Sequence, residues 1–269
     1  MKTIWVVQKS RKSVAVIPSM DVNSERVKSL ANEFDKNEVD SIVVEDRLPE
    51  FRFSKSMNAG IQEALKYPDI STIVLSNDDV NNIKGLNEMI NTVVTNKTMM
   101  TRDIYAVPYV DGSPKIFYVT TSRLGFMWSH TLMNKAPFHA KRVLSGFGWT
   151  KNRKKFAMGA PAVKWQSDKI YSIQPFSVLS SSVLKRFMFD ENFINGLEDD
   201  ELGYRLWKNN IKGVTNPAWS IHHSSNVSFK EVRQGKKSNI GLCYSSDEEM
   251  VKSAEYFYDK HFRGKKLWG

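Results

Sequence analysis

"SVAVIPSMDVNSERVKSLANEFDKNEVDSIVVED" (Ser13 to Asp46) begins and ends on short apolar runs, with a polar, periodic stretch between them. The first run, "SVAVIP", is stopped by proline and reads as a buried strand. In "SERVKSLANEF", Val27, Leu30, Ala31 and Phe34 recur at i, i+3, i+4 and i+7. That spacing is one face of a helix, with Asn23 or Ser24 as its cap. "DSIVVED" (Asp40 to Asp46) is a second strand. The unit then repeats. "SMNAGIQEALKY" predicts a helix that buries Met57, Ile61, Ala64 and Leu65. "STIVLSNDD" (Ser71 to Asp79) predicts a third strand ending in carboxylates, and "GLNEMINTVV" a third helix. Strands alternating with helices of this length predict an α/β fold, with a mostly parallel central sheet flanked by helices. Ligands of such sheets collect outside the carboxyl ends of the strands. Those ends carry Ser19 and Asp21, then Glu45 and Asp46, then Asn77, Asp78 and Asp79. The pattern is that of a nucleotide-binding half.

After about Thr98 the rhythm changes. Residues 98–175 are rich in Lys, Arg, aromatics and glycine, with weak periodicity. "IYAVPYV" and "KIFYVTTS" read as two strands around the turn signal "DGSP". "LSGFGWTKNRKKFAMGAPAVKW" reads as a loop. "PFSVLSSSVLKRF" returns to a strand feeding a short helix, and "EDDELGYRLWKNN" is the next helix, with Gly213 past its end. "AWSIHHSSNVSF" is a strand running into a loop. "SSDEEMVKSAEYFYDKHF" is a last helix, opened by a capping box from Ser246 to Glu249.

The chain has 269 residues and a formal net charge of +10, concentrated in "KNRKK" (Lys151 to Lys155) and "KHFRGKKLWG" (Lys260 to Gly269). Such patches attract phosphates, nucleic acid or an anionic membrane surface, or are simply a solvated basic face. Cys243 is the only cysteine, which excludes an internal disulfide and any multi-cysteine zinc site. No stretch approaches the roughly 20 apolar residues of a membrane span. The apolar run near the N-terminus is too short for a signal peptide, so a cytoplasmic location is expected.

Three stretches could carry chemistry. In "LSNDDV", Asp78 and Asp79 close an apolar strand. Carboxylates there suit Mg²⁺ or Mn²⁺ bridged to a ligand's phosphates, or Asp79 or Asn81 caps a following helix. "INGLEDDELGYRL" sets Glu198, Asp199, Asp200 and Glu201 side by side at a helix start. The positive end of the helix dipole favours acids, but one or two would suffice for that. Glu198 and Asp199 precede the apolar periodicity, so a carboxylate there could serve as general base for a hydroxyl. In "SIHHSSNVS", His222 and His223 alternate in a strand and point to opposite faces. Either could be a metal ligand or a satisfied polar residue.

In this order the stretches resemble the family 2 glycosyltransferases of the GT-A (Rossmann-like) fold. "VAVIPS", "DSIVVED", "SMNAGIQEAL", "IVLSNDDV", "FDENFINGLEDDELGYRLWKNNIKG" and "IHHSSNVS" carry the resemblance, from about residue 13 to 228 with a poor match between about 98 and 172. It implies a metal-dependent, inverting transfer of a sugar from a nucleotide-diphosphate sugar to an acceptor hydroxyl. Asp199 would be the general base, with Glu198 orienting the acceptor or its loop. Asp79 and His222 or His223 would hold Mn²⁺ or Mg²⁺. Pro18, Ser19, Asp46, Lys55, Asn58, Asn77 and Asp78 would line the nucleotide-sugar side.

Residues 1–97 would be the nucleotide-sugar-binding half of a single GT-A domain. Residues 98–175 would be an insertion shaping the acceptor site, and 176–269 the acceptor and catalytic half with its C-terminal helix. Phe126, Trp128, Phe147 and Trp149 could stack on sugar rings or equally be core, and the loop from Gly146 to Gly159 could close over the donor. The acceptor would be a glycan, a lipid-linked molecule or a protein, the basic patches giving peripheral contact with an anionic membrane. Met57 stands where many members carry arginine, Asp200 fills a usually apolar position, and Glu201 replaces the usual aspartate.

Other readings are a retaining transferase, a nucleotidyltransferase, or a basic nucleic-acid-binding protein using Trp128, Trp149 and Trp165. The first loop, "PSMDVNSER", has no glycine to cradle a triphosphate, and no recognised nucleic-acid module occurs, so no specific nucleic acid is expected.

Overall fold

The computed structural model describes residues 3–7, 11–46, 51–98, 102–114, 116–117, 170–193 and 196–224, and helical positions 253, 256, 257, 260 and 261. The chain divides into two units: Met1–Lys115 with Tyr171–Tyr244, and Ile116–Ile170 with Ser245–Gly269. Every candidate site residue belongs to the first. The Gly146–Gly159 loop, "KNRKK", Phe126, Trp128, Phe147, Trp149, Trp165 and the Ser246–Glu249 capping box lie outside the described residues.

The elements run β1 (Thr3–Val7), β2 (Ser13–Ser19), α1 (Glu25–Lys36), β3 (Asp40–Glu45), α2 (Phe53–Ala64), β4 (Thr72–Ser76), β5 (Val80–Lys84) and α3 (Leu86–Thr98). Then come β6 (Ile104–Ala106), β7 (Tyr109–Val110), β8 (Ser113–Pro114), and β9 (Ile116–Phe117) and β10 (Ile170–Tyr171) at the two ends of the second unit's first segment. The chain closes with β11 (Phe176–Ser180), α4 (Ser181–Leu184), α5 (Glu198–Lys208), β12 (Lys212–Val214) and β13 (Ser220–His223).

Seven strands form the main sheet in the order β1-β3-β2-β4-β11-β6-β12. Strands β2, β3, β4, β6 and β12 point one way; β1 and β11 point the other. The sheet is therefore mixed, and the α/β class holds. The reversal of β11 has a consequence: its amino end, not its carboxyl end, meets the carboxyl end of β4, with Phe176 opposite Ser76.

Strand alternation sorts the core into two layers. Val14, Val16, Ile42, Val44, Ile73 and Leu75 face one side, packed with Met57 and Ile61 of α2 and Leu202 and Leu206 of α5. Ala15, Ile17, Val43 and Val74 face the other, packed with Val27, Leu30 and Phe34 of α1 and Met89 and Val93 of α3. Each such side chain contributes roughly 1.5–3 kcal/mol on leaving water. Ser24 caps α1 by accepting from the Val27 amide, as the spacing predicts. Helix α2 lies so close to the sheet that a Cβ on Gly60 would meet Val16 Cγ1 at 2.3 Å and Val44 Cγ2 at 2.9 Å.

The structure corrects two local expectations. After Asp79 the chain forms β5, not a helix, so neither Asp79 nor Asn81 is a helix cap. Val80 and Ile83 are buried three positions apart with Asn81 and Asn82 exposed between them, and Asn82 is left-handed at φ 53°, so "VNNIK" lacks the period-two alternation that marks a strand. "IYAVPYV" splits between sheets: β6 joins the main sheet, while β7 pairs with β8 around Asp111 and Gly112. Gly213 lies past the end of α5, as expected, and inside β12. The second sheet has the order β5-β13-β7-β8. Among the described residues no helix is long and apolar enough to cross a membrane.

Candidate active site

The site begins where β4 ends. Asn77, Asp78 and Asp79 join β4 to β5, and β5 pairs antiparallel with β13, His223 opposite Val80. That register sets His223 beside Asp79: His223 Nε2 lies 3.0 Å from Asp79 Oδ1. The Ser224 amide donates to the Asp79 carbonyl at 3.0 Å and pins the end of β13 there. Asn77 Nδ2 is 3.5 Å from the same histidine nitrogen. The Asp79–His223 contact becomes an ion pair when the ring is protonated. Burial pushes Asp79 up, but the neighbouring His223 ring and Arg26 outweigh it, and its carboxyl sits below the usual value.

Two ligand atoms 3.0 Å apart and both partly buried suit one edge of a Mg²⁺ or Mn²⁺ shell. Octahedral bonds of about 2.1 Å separate adjacent donors by about 3 Å. Among the described residues no group of three or more His, Cys, Asp or Glu side chains comes together as a metal cage. A cation held by this pair would complete its shell from phosphate oxygens and water, the usual habit of Mg²⁺.

Asp78 turns elsewhere. Its Oδ2 accepts from Ser19 Oγ at 2.7 Å and from Arg26 Nη2 at 3.0 Å. Burial raises its pKa despite the Arg26 charge and the Ser19 hydrogen bond. Ser19 thus links the end of β2 to the end of β4. Asp46, at the end of β3, is buried; its amide donates to the Ser19 carbonyl at 3.0 Å, and its Oδ2 accepts from Ser56 Oγ at 2.7 Å. Asp46, Ser19 and Asp78 therefore form one continuous edge along the three parallel strand ends.

The acidic cluster lies at the amino end of α5. Leu197 precedes it in a left-handed conformation, φ 68°, and places Glu198 and Asp199 in the first turn. All four carboxylates, Glu198 to Glu201, are buried. Glu201 has a structural partner: both its oxygens accept from Arg205 Nε at 2.9 Å, and Arg205 also donates to the Met188 carbonyl. Asp199 Oδ2 accepts from Ser172 Oγ at 3.2 Å. Three residues on, the Pro175 carbonyl accepts from the Asn77 amide at 2.9 Å. The segment 172–175 therefore touches Asp199 at one end and the Asn77–Asp79 corner at the other. Three residues of chain span at most about 11 Å, so both ends are within reach of one small ligand.

Comparison with protein-family models and with curated proteins gives no match.

The remaining expected residues are distributed as follows. His222 is turned away from Asp79; its Nδ1 lies 2.6 Å from Asp111 Oδ1, both largely exposed. Asn58 is buried and clamps the loop before α5: it bonds Phe189 N and O at 3.0 and 2.9 Å, and Glu191 Oε1 at 3.0 Å. Lys55 is exposed on α2, and Pro18 is buried within β2. The structure brings together Asn77, Asp79 and His223, and separately Asp46, Ser19 and Asp78; Asp199 reaches the first group through residues 172–175.

Sequence reasoning did not find Ser172, Gln174, Arg26 or Asp111. A signal existed for the first two. In "YSIQPFSVLS", Ser172 and Gln174 are polar alternates leading into an apolar strand.

Proposed function

We propose that this chain is a metal-dependent glycosyltransferase of the GT-A type, using a nucleotide-diphosphate sugar and inverting the anomeric carbon. One observation carries the proposal. The 3.0 Å Asp79–His223 pair stands at the end of a parallel strand, and the 172–175 segment connects that corner to the buried Asp199. The mixed sheet, with polar side chains gathered at the carboxyl ends of β2, β3 and β4, supports the same fold assignment.

The chemistry follows from the groups. Asp199 takes the proton of the acceptor hydroxyl. The hydroxyl oxygen then forms a bond to the anomeric carbon from the side opposite the leaving group. The bond from that carbon to the diphosphate oxygen breaks, and its electron pair leaves with the nucleoside diphosphate. Ser172, donating to Asp199 Oδ2, fixes the carboxylate's orientation. A divalent cation held by Asp79 and His223 would neutralise charge on the diphosphate. Ser19 and Asp46 would line the nucleoside end of the donor. In this proposal the protein works in the cytoplasm on a glycan, lipid-linked or protein acceptor, its basic patches favouring an anionic membrane surface.

The test is donor hydrolysis or transfer in Mn²⁺, comparing wild type with Asp199→Asn and Asp79→Ala. Asp199→Asn is expected to lose about 10³-fold in kcat while binding the nucleoside diphosphate as wild type does. Asp79→Ala is expected to lose the Mn²⁺ dependence of nucleotide binding. Undiminished transfer by Asp199→Asn overturns the assigned base.

A further inference from the structure

Gln174 is 6% exposed, and neither its amide oxygen nor its amide nitrogen has a hydrogen-bond partner among the described residues. Nearby, the buried Asn77 Oδ1 also lacks one. Buried amides without partners are costly and rare in folded proteins. Gln174 lies midway along the segment that joins Asp199, through Ser172, to Asn77, through the Pro175 carbonyl.

We propose that Gln174, with Asn77 beside it, reads the hydroxyl groups of the transferred sugar and so determines which donor is accepted. The inference rests on the glycosyltransferase reading and adds a specificity element to it. The position follows from the chemistry of transfer. The sugar must lie between the diphosphate, at the Asp79–His223 corner, and the acceptor hydroxyl, at Asp199. The segment bearing Gln174 spans that interval. The ligand chemistry follows from the amide, which offers an acceptor and two donor hydrogens on neighbouring atoms. A phosphate presents acceptors alone and would leave the amide oxygens unpaired. The nucleobase lies at the far end of the diphosphate from the sugar. Adjacent sugar hydroxyls, each able to donate and accept, satisfy both amide atoms. Sites built to bond a hydroxyl discriminate strongly against ligands that lack it or present it wrongly.

The experiment compares the Kd of a nucleotide sugar with that of its nucleoside diphosphate, by calorimetry in Mn²⁺. UDP-glucose, UDP-galactose, UDP-N-acetylglucosamine and GDP-mannose are the probes, with UDP and GDP as references. In wild type, one sugar is expected to bind more tightly than its diphosphate alone. Gln174→Met, close in shape but without the amide, is expected to lose about tenfold in affinity for that sugar. Its affinity for the diphosphate stays unchanged, which also shows that the variant is folded. If Gln174→Met does not fold, Gln174→Glu keeps the shape, loses the donor hydrogens and carries the same expectation. A sugar increment absent in wild type, or retained in the variant, overturns the role of Gln174 and leaves the transferase reading standing. A wild-type protein that binds neither UDP nor GDP overturns both.

Discussion

At the scale of single residues, the site is a matter of which side chains are already engaged. Asn77, Asp78 and Asp79 are adjacent in sequence yet have different roles. Asp78 is held by Ser19 and Arg26, while Asp79 faces His223. Asn58, whose amide bonds Phe189 and Glu191, is a clamp for the loop before α5. These distinctions were not legible in the sequence, because alternation along a strand says which face a residue takes, not which partner it meets. The histidine pair was legible to that degree. Period-two alternation sends His222 and His223 to opposite faces, and pairing with β5 decides which one reaches Asp79. Tyr105 provides a test at this scale. Its hydroxyl donates to the Tyr171 carbonyl at 2.8 Å and anchors the start of the segment bearing Ser172 and Gln174. Burial raises its pKa above the ordinary 10.0, as it does for Tyr204. The native state therefore holds these protons after the unfolded chain has released them. Their contribution is fully present below pH 10.0 and is lost as pH rises through the raised values. Denaturant midpoints measured across the alkaline range should fall with pH, and fall less steeply in Tyr105→Phe. An unchanged slope in that variant would contradict the assignment.

At the scale of elements, the first half was readable because its signals are local. Helices α1 and α2 bury Val27, Leu30, Phe34, Met57, Ile61 and Ala64 of the residues that their 3.6-residue period marks, Ala31 and Leu65 being only half-buried, and Ser24 caps α1. Strand β5 was hidden because its buried residues, Val80 and Ile83, do not alternate; β11 was legible as a strand, but its direction was not, because that depends on partners far away in the chain. Yet β11 is decisive: being antiparallel to β4, it delivers the 172–175 segment to the β4 end. The close approach of α2 to the sheet carries a prediction of its own. A methyl group at position 60 would stand 2.3 Å from Val16 Cγ1, inside any tolerable contact. Gly60→Ala should destabilise by about 1–3 kcal/mol, despite the better helix propensity of alanine. A thermal or urea melt measures this, and a neutral or stabilising result would show that the helix can shift outward at little cost.

At the scale of the whole molecule, a chain of formal charge +10 still places acids at the carboxyl ends of β3 and β4 and at the start of α5. That placement was legible from strand order alone, since polar residues cluster where apolar runs end. The buried state of all four acids at α5 was not, because helix-dipole arguments describe surface turns. The central claim is that this edge binds the diphosphate of a nucleotide sugar with a divalent cation. The most direct measurement is a thermal-shift screen of UDP, GDP, CDP and dTDP, each with and without Mn²⁺. Binding to the native state at a hundredfold excess over Kd adds about 2.7 kcal/mol, roughly 5 to 10 °C for a domain of this size. One nucleotide should raise the melting temperature by that order, only with Mn²⁺, and Asp79→Ala should abolish the rise. No rise with any of the four, or a rise equally large without metal, would contradict the claim.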